Sequence, residues 1–336
     1  MKKLLFLLFV TTTCATLNTQ IARAQTPQYV LDKTIALPGD GGYDYSYIDQ
    51  ANQKLYVSHG TAVQVIDLKT EKLVGTIDQM KGVHGIAIVN KLNRGFISDG
   101  KDNSVVAFDI KTLKIIKTIP ITGKKPDCII YDPYSNRIFA FNGDSNDASV
   151  VDPEKLEQSG TVKLNGAPEF AVADGKGKIY NNLEDKSSLD VINTKTLTVE
   201  KNYSLAPCGG PTGIAIDKAN NKLFTVCREN KGLSVVDIAT GKVLQTLPIG
   251  GGVDAVVYDV KNKSIFVSNG DGTATIYKQE SPDKYTLVQT LTTQNRAKTM
   301  AVNEATHKLY FSVPEFTNGT KNIVPNSFKV LVYKTK

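Results

Sequence analysis

Apolar and polar positions along this chain alternate in short runs, and nowhere do apolar residues recur at the spacing of an amphipathic helix. The runs are separated by Asn, Asp, Gly and Lys turns, which predicts strands throughout. Seven segments share one form: QKLYVS, NRGFIS, NRIFAF, GKIYNN, NKLFTV, KSIFVS and HKLYFS. Their aromatic members are Tyr56, Phe96, Phe139, Tyr180, Phe224, Phe266 and Tyr310, at spacings of 40, 43, 41, 44, 42 and 44. Large rings at one place in every copy read as core, filling the wedge between neighbouring sheets.

Each aromatic strand has three companions. An apolar stretch precedes it, as in GIAIV (85–89) or AVVYD (255–259). A β-branched run such as VQVID or LSVVD follows it. A further strand-like run then closes the copy, as in KLVGTI or KIIKTIPI. Four antiparallel strands at a period of 40–45 residues make a propeller blade. The seventh copy has only KTMAVN, HKLYFS and FKVLVYK before the chain stops, whereas YVLDKTIAL (29–37) stands unmatched at the other end. The reading is all-β: a seven-bladed propeller over 25–336 in which the N-terminal strand completes the last blade. Such closure removes exposed sheet edges.

The first 24 residues break the pattern. Lys2 and Lys3, the short apolar run LLFLLFV (4–10) and Ala22-Arg23-Ala24 read as an export signal cut after Ala24. The apolar run is too short for a membrane span. TTTC before Cys14 lacks the apolar and small residues of a lipidation site. A periplasmic or secreted location follows, with no integral membrane span. Formal charge is +7 from 40 basic and 33 acidic residues. Three of the basic residues lie in the leader, so the remainder carries a modest surplus that argues against a nucleic-acid footprint. Export permits disulfides. Of Cys128, Cys208 and Cys227, the last two should reach one face of the fifth blade and are expected to pair, leaving Cys128 buried and free.

Strand order places the start of each first strand and the end of each second strand on one face. Counting back from each first turn puts Asp44, His84, Asp127, Glu169, Thr212, Asp254 and Lys298 around the mouth of the central channel. Hard cations favour such carboxylates and an imidazole suits transition metals, so Asp44, His84, Asp127, Glu169 and Asp254 are candidate ligands for a divalent cation. The matching loop set contributes His59 and Asp99, flanking His84 in adjacent blades. Arg228 and Lys298 are candidates for an anionic group. Tyr43, Tyr45 and Tyr47 alternate as if on one packed strand face. The enlarged segment PEFTNGTKNIVPNSF (314–328) is expected to overhang the ring. No GxSxG or HExxH motif occurs.

Asn103-Ser104-Val105-Val106 and SNGDGTATI (268–276) give the repeat a form that resembles the YVTN-type propeller family, and within it the YncE-like exported proteins of bacteria. The resemblance covers 29–336. It departs in the fourth copy, whose turn shortens to DGKGK (174–178), and in the enlarged seventh. It implies a seven-bladed exported propeller but no single reaction. The expected function is a monomeric binding or scaffold module, taking a small molecule or protein partner at the funnel face. A metal-dependent hydrolase or lyase on the same ring is the alternative, and single-stranded nucleic-acid binding a weaker one.

Overall fold

Every repeat folds into one four-stranded antiparallel sheet, seven in all. The computed structural model describes residues 28–317 and 320–336. The export signal read in residues 1–24 lies outside the described residues, as do Asn318 and Gly319. The first strands of the blades are Tyr43–Asp49, Val83–Val89, Pro126–Asp132, Pro168–Ala173, Pro211–Asp217, Val253–Asp259 and Thr299–Val302. Each packs beside the first strands of both neighbouring blades, and the first beside the last, so the ring is closed.

Burial along the strands follows from this arrangement. Second and third strands, such as Lys54–His59 and Ala62–Asp67, are almost continuously buried because a neighbouring blade covers each face. The outermost strand Lys72–Ile77 alternates instead, with one face in solvent. All seven marker aromatics are buried, from Tyr56 to Tyr310. After the first strands Asp49, Asp132, Asp217, Asp259 and Asn303 accept backbone N–H bonds from two and three residues ahead, which fixes the turn. On the Asp132 and Asp217 turns the same pattern runs through Ser135, Ala219 and Asn220.

The closing strand takes the expected place. Tyr29–Ala36 pairs antiparallel with Lys329–Thr335 and forms the outer edge of the last sheet. Its Tyr29 ring meets Phe266 of the sixth blade edge-on at 5.4 Å, and Ile35 and Leu37 are buried in the seam with the first blade. The strand therefore joins three blades rather than one. Cys208 and Cys227 form a disulfide, with Cα atoms 5.1 Å apart, and Cys128 is buried and free. Among the described residues no helix is long and apolar enough to cross a membrane.

Candidate functional site

The mouth of the channel is built from one irregularity repeated around the ring. In six blades the first strand slips register near its start: between Tyr43 and Ser46, Val83 and Ile86, Pro126 and Ile129, Pro168 and Ala171, Pro211 and Ile214, and Val253 and Ala255. Asp44, His84, Asp127, Glu169, Thr212 and Asp254 are the second residues of these strands and lie within the slip. Lys298 immediately precedes the first strand of the last blade. Such bulges re-aim a side chain out of the pleat.

Small polar side chains on the second strands hold these irregular backbones. Ser58 Oγ accepts from the Asp44 N–H at 3.0 Å. Ser98 Oγ donates to the carbonyl of Asp127 at 2.5 Å, Asn182 Nδ2 to that of Thr212 at 2.7 Å and Ser268 Oγ to that of Lys298 at 2.5 Å. Each of the last three crosses from one blade to the next. Sequence reasoning missed them, although a signal exists: a Ser or Asn stands two residues after the marker aromatic in five copies, at Ser58, Ser98, Asn182, Ser268 and Ser312.

Blades one to three bring three donors together. His84 Nδ1 lies 2.6 Å from Asp44 Oδ2 and 3.7 Å from Asp127 Oδ1. One ligand atom from each residue falls within a 4.8 Å group. Asp127 Oδ1 is buried and has no hydrogen-bond partner. Burial alone would lower the His84 pKa, but the Asp44 hydrogen bond and the Asp127 and Asp44 charges outweigh it, so the imidazole holds its proton more tightly than usual. Burial and the Asp44 charge push the Asp127 carboxyl up to about 6. A small hollow bounded by Tyr43, Asp44, Val83, His84 and Lys101 opens beside the cluster.

Blades four to seven close on themselves. Asp254, only 6% exposed at its side chain, accepts from Arg228 Nη2 at 2.7 Å and Lys298 Nζ at 2.5 Å. The other Arg228 nitrogen, Nη1, pairs with Glu184, a residue that the sequence reading did not select. Glu169 neighbours that network, and burial, the Asp127 charge and a hydrogen bond to Glu184 push its carboxyl up to about 9. Burial and the neighbouring carboxylates thus favour the protonated form of Glu169. Thr212 is fully buried and only 3.5 Å from the carbonyl of Val253. Arg228 and Lys298 are thus both committed to protein carboxylates.

The loop set separates from the ring. His59 is buried, stacks on Phe328 with centroids 3.9 Å apart and bonds Gln64 through Nδ1. Burial lowers its pKa. Asp99 is buried and accepts the backbone N–H groups of Lys81 at 2.8 Å and Gly82 at 2.7 Å, which pins the loop entering His84. Among the described residues, the hydrogen bonds of segment 314–328 outside itself reach Leu37 in the closing seam and Asp40, Gln294 and Lys329 on the rim, not the ring. The three alternating tyrosines do not share one packed face, because the bulge after Tyr43 breaks the alternation. Tyr43 bonds the carbonyl of Arg296 at 2.5 Å, Tyr47 is 36% exposed, and Tyr45 crosses the channel to meet Phe170 of the fourth blade, centroids 4.4 Å apart.

No family model matches the chain. In sequence it is similar to Antigen Lp49 of Leptospira interrogans serogroup Icterohaemorrhagiae serovar copenhageni (strain Fiocruz L1-130), at 23% identity over 272 residues. That match covers 73% of this chain, which spans 59% of the relative's length. In structure it is similar to Kuenenia stuttgartiensis Hydrazine Synthase, with a TM-score of 0.73 and 15% identity, covering 90% of this chain and 98% of that one. A likeness at that identity is one of fold, and the fold is the seven-bladed propeller.

Proposed function

We propose that this chain is an exported propeller of the YVTN-repeat, YncE-like type that works as a binding module. Its ligand sits on the funnel face and is anchored through a divalent cation held by Asp44, His84 and Asp127. The observation that carries this reading is the convergence of three donor atoms within 4.8 Å, one of them a buried carboxylate oxygen without a partner. Two carboxylates and one imidazole suit Zn²⁺ or Mn²⁺ better than Ca²⁺, which asks for more oxygens. Calorimetric titration of Zn²⁺, Mn²⁺ and Ca²⁺ into chelator-treated protein tests it. One equivalent of a transition ion should bind the wild type, and the His84→Ala/Asp127→Ala double variant should bind none. Equal binding by both proteins would move the ligand to another surface.

A second reading is a metal-dependent hydrolase or lyase, favoured by Glu169. A carboxyl that keeps its proton at neutral pH in the same mouth is suited to general-acid work. Turnover of an ester and phosphoester panel that is abolished in Glu169→Gln would support it. A wild type inert with every bound ion would leave the binding reading alone.

A further inference from the structure

We infer that the channel holds a second binding chamber, below the charged mouth, for a small, flat, uncharged aromatic molecule. The chamber begins at the Tyr45–Phe170 contact and follows the first strands of blades one to four away from the mouth, as far as Tyr47, Ile88 and Tyr131. Its volume is about 260 Å³. An apolar cavity of ~150 Å³ stays dry and takes benzene, whereas drug-sized ligands ask for ~300 Å³ or more, so this chamber suits a two-ring compound.

The walls select against charge. No Lys, Arg, Asp, Glu or His lines the chamber. Ile86, Ile88 and Cys128 are fully buried, whereas Phe170 and Ile130 are half-buried and turn apolar surface into the space. Two polar groups of the lining are already engaged: the Tyr131 hydroxyl donates to Asn136 Oδ1 at 2.9 Å, and Ser46 Oγ donates to Ser312 Oγ at 3.3 Å. Tyr45 and Phe170 form an aromatic roof with planes 34° apart, against which a planar ligand stacks. The roof also parts the two sites. Tyr45 packs among Cys128, Phe139 and Ala171 on the far side of the axis, so its ring lies between the charged mouth and the chamber. Tyr47, at 36% exposure, marks the entrance from the opposite face.

A naphthol probe excited beyond the tyrosine and tryptophan absorption bands can be followed by its own fluorescence, in the wild type and in a Trp-bearing variant alike. Titration of 2-naphthol into the full exported protein should saturate at one equivalent, and 2-naphthalenesulfonate should bind at least tenfold more weakly. Ile130→Trp fills the chamber and should weaken 2-naphthol binding more than tenfold. The His84→Ala/Asp127→Ala variant should leave it unchanged, which separates this site from the cation site. Equal binding of the sulfonate, or indifference to Ile130→Trp, would overturn the proposal. Should Ile130→Trp fail to fold, wild-type crystals soaked in 2-bromonaphthalene decide the matter. A bromine anomalous peak between Tyr45 and Ile130 supports the chamber, and a peak elsewhere or none refutes it.

Discussion

The two halves of the channel mouth use the same backbone device and end in opposite electrostatic states. In both, the second residue of a first strand is turned out by a slip in register. Around blades four to seven one buried carboxylate, Asp254, is met by two cations, and the second carboxylate on Arg228 belongs to Glu184. Around blades one to three, two carboxylates share a single imidazole, and Asp127 Oδ1 is left without a partner. The first half is satisfied from within the protein. The second leaves a carboxylate oxygen unpartnered, which the proposed cation would engage. A repeat fold therefore makes a site by breaking its own symmetry, one side chain per blade.

The comparison is broken most strongly at Asp254. Asp254→Ala leaves Arg228 and Lys298 facing each other without their shared anion. Because both cations are more than a third exposed, water offsets part of the loss. A cost of about 1–3 kcal/mol is expected in chemical denaturation. The corresponding His84→Ala should cost less than about 1 kcal/mol, since His84, Asp44 and Asp127 are each more open to water than Asp254, and water replaces the lost contact. Equal costs would contradict the division of the mouth.

A smaller effect reads the same division through pH. Glu169 is an acid whose folded pKa, about 9, lies above the ordinary 4.5. The folded state therefore holds this proton more tightly than the unfolded one. Its own contribution to stability is therefore full below pH ~4.5 and is lost as pH rises towards 9. Glu169→Gln should flatten that decline and be more stable than wild type at pH 8–9. Thermal melts across pH 5–9 check it, with His84→Ala alongside. The His84 pKa is also raised, so its favourable contribution too is lost with rising pH. A wild type whose melting temperature is level from pH 5 to 9 would show that the Glu169 carboxyl is not strained.

The smallest expected effect concerns the inter-blade serines. Ser98→Ala and Ser268→Ala each remove one hydrogen bond to a bulged carbonyl, of Asp127 and Lys298 respectively. Each should cost about 1 kcal/mol in stability. Only Ser98→Ala should also weaken cation binding, because only it positions a ligand residue. Both variants binding alike would show that the bulge geometry does not depend on these contacts.

Much of this was legible because the repeat carries it. The aromatic period set the blades, the unmatched strand at 29–37 set the closure, and counting back from the turn landed on the second residue of the first strand in six blades and the residue before it in the seventh. What escaped the sequence reading is what the repeat does not carry. Glu184 enters from a short helical turn after a second strand, outside the counted positions. Tyr45 escaped because alternation assumes a regular pleat, and the bulge after Tyr43 breaks the pleat. His59 was grouped with His84 by its face alone, but stacking on Phe328, a residue distant in sequence, draws it into the wall instead.

The proposal that blades one to three take a cation, while blades four to seven need none, can be tested directly. Its most direct test is an anomalous difference map from crystals grown with Zn²⁺ and measured at the zinc edge. One peak is expected among Asp44 Oδ2, His84 Nδ1 and Asp127 Oδ1, absent in the His84→Ala/Asp127→Ala protein. A mouth with no peak, or a peak seated at Glu169 and Glu184, would contradict it.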